Sequence, residues 1–125
     1  MSCTITPTFS TRKIYVTLGG DANKNGSGYN MHLTYYRSIG GGSFSNIAPN
    51  GPSDTSNADY NYGLCAVYGS ASRIHVPMAM PFLDSPATTS AVTYKVYIRS
   101  LSGTVEYPVN NGYHAARMFL MEYSA

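Results

Sequence analysis

The sequence predicts an all-β fold, an antiparallel sandwich or jelly roll. Three observations carry this. Short runs alternate apolar and polar residues, clusters of Gly, Asn, Ser and Pro separate them, and no segment combines a helical period with caps. The pattern amounts to about seven or eight short strands, the signature of sandwiches and jelly rolls. Residues 1–125 read as one domain without linker or internal repeat. A chain this long buries roughly two-thirds of its unfolded surface, so it folds without staples.

The first clear strand is Lys13 to Leu18, with Ile14, Val16 and Leu18 on one face. Gly19 to Gly28 reads as a polar turn containing Asn-Gly. Tyr29 to Ile39 follows, with Met31, Leu33 and Tyr35 on one face and His32, Thr34 and Tyr36 on the other. Gly40 to Ala58 reads as irregular, broken by three glycines and by Pro49-Asn50-Gly51-Pro52. Strand character returns at Tyr60 to Tyr68 and at Arg73 to Phe82. In the second, Ile74, Val76, Met78, Met80 and Phe82 share a face opposite Pro77 and Pro81. Proline cannot donate to a ladder, so this strand is expected at an edge, bulged or broken. Thr93 to Ser100 alternates most cleanly. Val105 to Val109 and Ala116 to Tyr123 complete the set, with Ala115 to Met121 the nearest approach to a helical period.

Composition narrows the function. Charged residues are 11% of the chain, under half the usual share of about 25%, while 43% hydrophobic residues argue against disorder. A surface so poor in charge is either covered by neighbouring subunits or solvated by Ser, Thr, Asn and Gly. The net charge of +2, with Lys and Arg scattered, excludes a nucleic-acid partner as the expectation. No apolar stretch approaches a membrane span and no signal-peptide core stands near the start, so neither membrane insertion nor secretion is expected. Asn25-Gly26-Ser27 matches a glycosylation acceptor, which has little meaning without a secretory signal.

Cys3 and Cys65 lack metal-ligand spacing. A disulfide between them stays open, with Cys65 as a small buried hydrophobe favoured. His32, His75 and His114 are far apart in sequence and fit no metal spacing. His32 and His75 read as outward-facing strand residues, His114 as a neighbour of a turn. Asp54, Asp59 and Asp84 sit in turn contexts, and Gly40-Gly41-Gly42 lacks the Lys-Ser/Thr of a phosphate loop. A constellation of Asp59, His75 and a serine would need convergence, and no strand-turn setting for a nucleophile is visible. The expectation is a non-enzyme with no cofactor and no metal.

Two features point to recognition instead. In the last strand Met118 and Leu120 face one way, and Phe119, Met121 and Tyr123 the other, so both faces are apolar. A strand on a monomer's surface alternates, and Phe119, Met121 and Tyr123 are therefore assigned to an oligomer interface. A slipped alternation or a covering loop is the alternative. Twelve tyrosines and no tryptophan suit interfaces and adaptable binding loops. Asp59, Tyr60 and Tyr62 form one candidate binding loop, and Tyr107, Asn111, Tyr113 and His114 a second. Aromatic faces beside amide and carboxylate groups suit a sugar; the competing reading is that these tyrosines pack at a subunit boundary or pave the sheet.

Phe82 to Ser100 carries a resemblance. The run Asp84-Ser85-Pro86 … Thr88-Thr89-Ser90, then Tyr94-Lys95-Val96 … Ile98-Arg99-Ser100 … Ser102-Gly103-Thr104-Val105, resembles the C-terminal jelly-roll domains of virion fibre and spike proteins. These occur in tailed phages, notably marine ones, and in large algal viruses. Tyr35-Tyr36-Arg37-Ser38-Ile39-Gly40 and the ending Leu120 to Ala125 are similar to segments of the same group. The resemblance lies mostly in the second half of the chain and departs at Glu106-Tyr107-Pro108, where Val109-Asn110-Asn111 replaces the expected polar strand and turn. It implies a tumour necrosis factor-like jelly roll, a homotrimer displayed on the virion, as a fibre tip or capsid-decorating domain. A host surface glycan or protein would be its partner in attachment. The shaft that often precedes such domains has no counterpart in the sequence. A standalone carbohydrate-binding, lectin-like module is the alternative.

Overall fold

The computed structural model describes residues 1–25, 29–47, 65–69, 73–100, 104–107 and 115–124. Among them there is no helix, and ten strands form two antiparallel sheets. The strands are β1 (Ser2–Ile5), β2 (Lys13–Asn25), β3 (Tyr29–Ile39), β4 (Ser45–Asn46), β5 (Cys65–Gly69), β6 (Arg73–Ala79), β7 (Phe82–Asp84), β8 (Val92–Ser100), β9 (Thr104–Glu106) and β10 (Arg117–Tyr123).

The first sheet runs β1-β8-β3, with β4 and β5 side by side on the far edge of β3. The second is centred on β2. One flank of β2 takes β10 along Lys13 to Gly19 and β9 along Asn23 to Asn25; the other takes β7 and then β6. The pairings are nested in sequence, since β2 with β10 encloses β3 with β8, and the two pairs lie in different sheets.

Alternation sets the core. Ile14, Val16, Leu18 and Ala22 of the second sheet meet Met31, Leu33, Tyr35, Val92 and Tyr94 of the first, joined by Met78 and Met80. A one-residue slip would turn any of these rows to solvent, so the register is firmly specified. Two polar ties also cross between the sheets. The Tyr35 hydroxyl donates to the Met80 carbonyl at 2.6 Å. Asp84 accepts from the Tyr94 hydroxyl at 2.7 Å and from Arg37 Nη1 at 2.8 Å on both oxygens. Burial lifts the Tyr94 hydroxyl well above its ordinary pKa, and the hydrogen bond to Asp84 and that carboxylate's charge add to the rise against an opposing effect of Arg37. Burial likewise lifts Tyr35. The segment joining β1 to β2 is pinned from outside: Thr8 N and Oγ1 each donate to Glu122 at 2.8 Å, and Arg12 lies 3.6 Å from the same carboxylate. The Thr8 hydrogen bonds, helped by Arg12, lower the pKa of Glu122.

Several expectations are corrected. Gly19 to Asn25 is not a turn but the second half of β2. Ala22 fills the core there, and the buried Asn23 donates its side-chain amide to Glu106 at 3.3 Å. Gly20 makes the extension possible: its φ is +142°, and a Cβ there would lie 2.9 Å from the Ala116 backbone. The expected strand Arg73 to Phe82 is broken at Met80-Pro81 into β6 and β7, both on an edge, as its prolines require. β1 was not anticipated, nor was β4 inside the region read as irregular. The closing strand expected over Ala116 to Tyr123 is present as β10. Cys3 is a free thiol. It pairs opposite Tyr94 on β8, whereas Cys65 pairs opposite Leu33 on β3. Three strand spacings of about 4.8 Å separate the two, well beyond disulfide reach.

Removing Asp84 strands a guanidinium and a buried hydroxyl. Asp84→Ala is expected to lower the unfolding free energy by about 3 kcal/mol in urea denaturation. Replacing both partners, Asp84→Leu with Arg37→Met, should recover most of that; a single-variant loss below about 1 kcal/mol would reject the tie as structural. A second outcome concerns alkali. Tyr35 and Tyr94 keep their protons in the folded chain at pH values where the unfolded chain releases them, so their contribution is complete below the ordinary tyrosine value of 10.0 and is lost as pH rises above it. Stability measured through that range should fall, and Tyr94→Phe should flatten the slope.

Candidate functional site

Two outward faces hold the residues available for recognition. On the second sheet, β10 pairs with β2 so that Phe119 lies opposite Thr17, Met121 opposite Tyr15 and Tyr123 opposite Lys13. Tyr15 in turn lies opposite Leu83 on β7. The register thus sets Met121, Tyr15 and Leu83 in one row across three strands. Phe119, Met121, Tyr123 and Leu83 are 57%, 55%, 51% and 51% exposed. The Tyr15 and Tyr123 rings tilt together with centroids 6.5 Å apart. Met118 and Leu120, the alternate residues of β10, pack against the core. The three residues assigned to an interface from sequence therefore stand together on one exposed face of the second sheet.

The first sheet presents a different face. β3 contributes His32, Thr34 and Tyr36, and β8 contributes Lys95, Tyr97 and Arg99, paired as His32 with Arg99, Thr34 with Tyr97 and Tyr36 with Lys95. A hollow of about 440 Å³ opens here, lined by His32, Thr34, Tyr36, Tyr97, Ile98 and Arg99. The Tyr36 and Tyr97 rings lie 4.1 Å apart between centroids at 33°. Thr34 donates to the Asn46 side-chain oxygen at 2.8 Å, and Lys95 Nζ sits 4.8 Å from the centre of the Phe44 ring, a cation–π contact. His32 does point away from the core, but it is 2% exposed rather than solvent-facing. Thr34 beside it is buried as well.

The candidate binding loops fare differently. Asp59, Tyr60, Tyr62, Asn111, Tyr113 and His114 lie outside the described residues. Tyr107 is described, and its hydroxyl donates to the Gly19 carbonyl at 3.0 Å. Burial, with the Asp21 charge, pushes it up to about 12. It is half-buried and braces β2 where Gly20 lets the chains approach, which is a structural task. Sequence reasoning did not single out Tyr36, Tyr97 and Arg99 as a site. Each strand's alternation was visible, but only the β3–β8 register brings the two rows together. Among the described residues no group of three or more His, Cys, Asp or Glu side chains is placed to hold a metal ion, and there is no helix long and apolar enough to cross a membrane.

Compared with protein-family models, with curated proteins and with solved structures, the chain matches none.

Proposed function

We propose that this chain is a viral structural protein, a trimeric jelly-roll domain at a fibre tip or on a capsid, serving host attachment. The observation that carries the reading is the exposed apolar row of Phe119, Met121, Tyr123 and Leu83 with Tyr15 beside it. Burying this row against further copies of the chain removes its cost in water, worth about 25 cal/mol for each Å² covered. Closed rings with rotational symmetry are the usual way to do so without fibre growth.

Two further points support it. The nested pairings of β2 with β10 and of β3 with β8 support a jelly-roll winding of the two sheets, although β2 rather than β10 occupies the centre of its sheet. The segments resembling virion fibre domains also meet in space. Arg37 comes from one stretch of that resemblance and Asp84 and Tyr94 from another, and the three form the polar tie between the sheets. Attachment would then be multivalent, with one weak site per subunit raised by avidity. The second reading, a lectin-like module acting alone, draws on the hollow between β3 and β8.

Light scattering separates the two. A molar mass of three times the 13.5 kDa chain is expected for the wild type. Met121→Arg, at an exposed position, should yield monomers with an unchanged far-ultraviolet circular dichroism spectrum. A wild-type monomer at concentrations of about 100 μM, where even weak assemblies persist, would overturn the assembly reading and leave the lectin-like one.

A further inference from the structure

Asn23 is 3% exposed, and its Nδ2 donates to Glu106 Oε2 at 3.3 Å. Among the described residues its Oδ1 has no hydrogen-bond partner. We infer that Asn23 and Glu106 form a proton-operated latch between β2 and β9, half closed while Glu106 is ionised and fully closed once it takes a proton. The inference goes beyond the assembly and attachment reading and uses none of the residues that carry it.

Donors and acceptors on the two side chains match in one protonation state only. A primary amide presents an N–H donor and a carbonyl acceptor side by side. A carboxylate presents acceptors alone, whereas a carboxylic acid presents one O–H donor and one acceptor. The ionised Glu106 therefore answers the amide nitrogen and leaves the amide oxygen unmet. Even that contact is longer than the range of about 2.7–3.2 Å usual for N–H···O bonds. Turning the amide over gives no better answer, because its oxygen would then face Glu106 Oε2 and its nitrogen would take the unmet position. A proton passed from water to Glu106 Oε1 makes the complementary partner. Oε2 keeps the Nδ2 hydrogen, and the new O–H donates to Oδ1. Two parallel bonds replace one, and a buried acceptor that is costly to leave unmet is satisfied.

The position in the fold gives the latch its leverage. Asn23 and Glu106 are register partners. β9 is three residues long and, among the described strands, pairs with β2 alone. A side-chain bond across so short a ladder weighs heavily in holding it. The residue after Glu106 is Tyr107, which braces β2 through the Gly19 carbonyl. Acid thus tightens this corner, and the contribution is lost as pH rises. The other two carboxylate ties respond oppositely, since Asp84 and Glu122 accept their hydrogen bonds as anions. Further charged or titratable groups stand nearby in register. They are Asp21 and Lys24 on β2, Arg73 and His75 on β6 opposite Asn25 and Asn23, Arg117 on β10 opposite Gly19, and Arg99 on β8, which meets β9 from the first sheet.

A double-mutant cycle separates the pair from those groups, because their effects cancel where all four variants share them. The full chain, Asn23→Ala, Glu106→Ala and the double variant are unfolded in urea at one protein concentration, at about pH 7 and about pH 4, on either side of ordinary carboxylate titration. The coupling between the two positions, read as a factor in the folding equilibrium constant, should rise about tenfold on acidification, as one added hydrogen bond implies. Glu106→Gln carries a donor and an acceptor at both pH values and keeps the test alive where Asn23→Ala does not fold. It should be about tenfold more stable than the wild type at the higher pH, with the difference closing at the lower. A coupling that stays level or falls on acidification, or a glutamine variant no more stable than the wild type near neutrality, would overturn the latch. So would stabilisation of the wild type by calcium chloride near neutrality that Glu106→Gln removes, since the unmet oxygen would then belong to a cation site.

Discussion

The carboxylate of Asp84 holds a place where apolar contact alone would leave the sheets' relative position loosely set. It enters from β7 of the second sheet and takes hydrogen bonds from Arg37 on β3 and Tyr94 on β8 of the first. Those two donors sit opposite each other in the β3–β8 register, so one acceptor fixes two strands at once. An apolar core is tolerant, because hydrophobic residues of about the right size repack with little loss. A charge-assisted triangle is not tolerant: distances near 2.8 Å admit little sliding. With the Tyr35–Met80 bond a few residues away, it makes the stacking of the two sheets single-valued. The long β3–β8 ladder and the rows on its outer face inherit that fixed position.

This arrangement leaves the molecule with two unlike outer faces. The second sheet turns Phe119, Met121, Tyr123 and Leu83 outward, and the first turns out tyrosines, a histidine, threonines and cations. The division follows from alternation on a small scaffold. Two stacked sheets supply four faces, of which two make the core, so the remaining two are free to differ. In the proposed assembly the apolar face is consumed by self-contact, and the polar-aromatic face stays outside it.

How much of this was legible follows from the range of each interaction. Rows such as Ile14, Val16, Leu18 and Met31, Leu33, Tyr35 were readable because period-two alternation is local. The doubled apolar character of β10 was readable for the same reason. The extension of β2 through Gly19 to Asn25 was hidden, because glycine and asparagine normally signal a turn. There Gly20 serves a close approach to Ala116 that only tertiary structure reveals. Asp84 looked like a turn residue since its neighbours Ser85 and Pro86 are turn formers, while its true partners lie 10 and 47 positions away. The hollow is the extreme case. Every residue lining it belonged to a strand already seen, and only the pairing of His32 with Arg99 and of Thr34 with Tyr97 turned two alternating rows into one surface.

The positions of the motif residues also decide what the resemblance to virion fibre domains is evidence for. Asp84 of the Asp-Ser-Pro run, Tyr94 of Tyr-Lys-Val and Arg37 of Tyr-Tyr-Arg-Ser point inward and hold the sheets together. Any chain that stacks two sheets by this triangle needs those residue types whatever it binds. Tyr97 and Arg99 alternate with the core row of the same strand and face outward, and the triangle does not constrain them. Under the proposed resemblance only this inward framework would be shared, and ligand choice would fall to the outward positions between its members. On this division the inward residues of β8 carry the argument for the fold, and its outward residues are left to serve recognition.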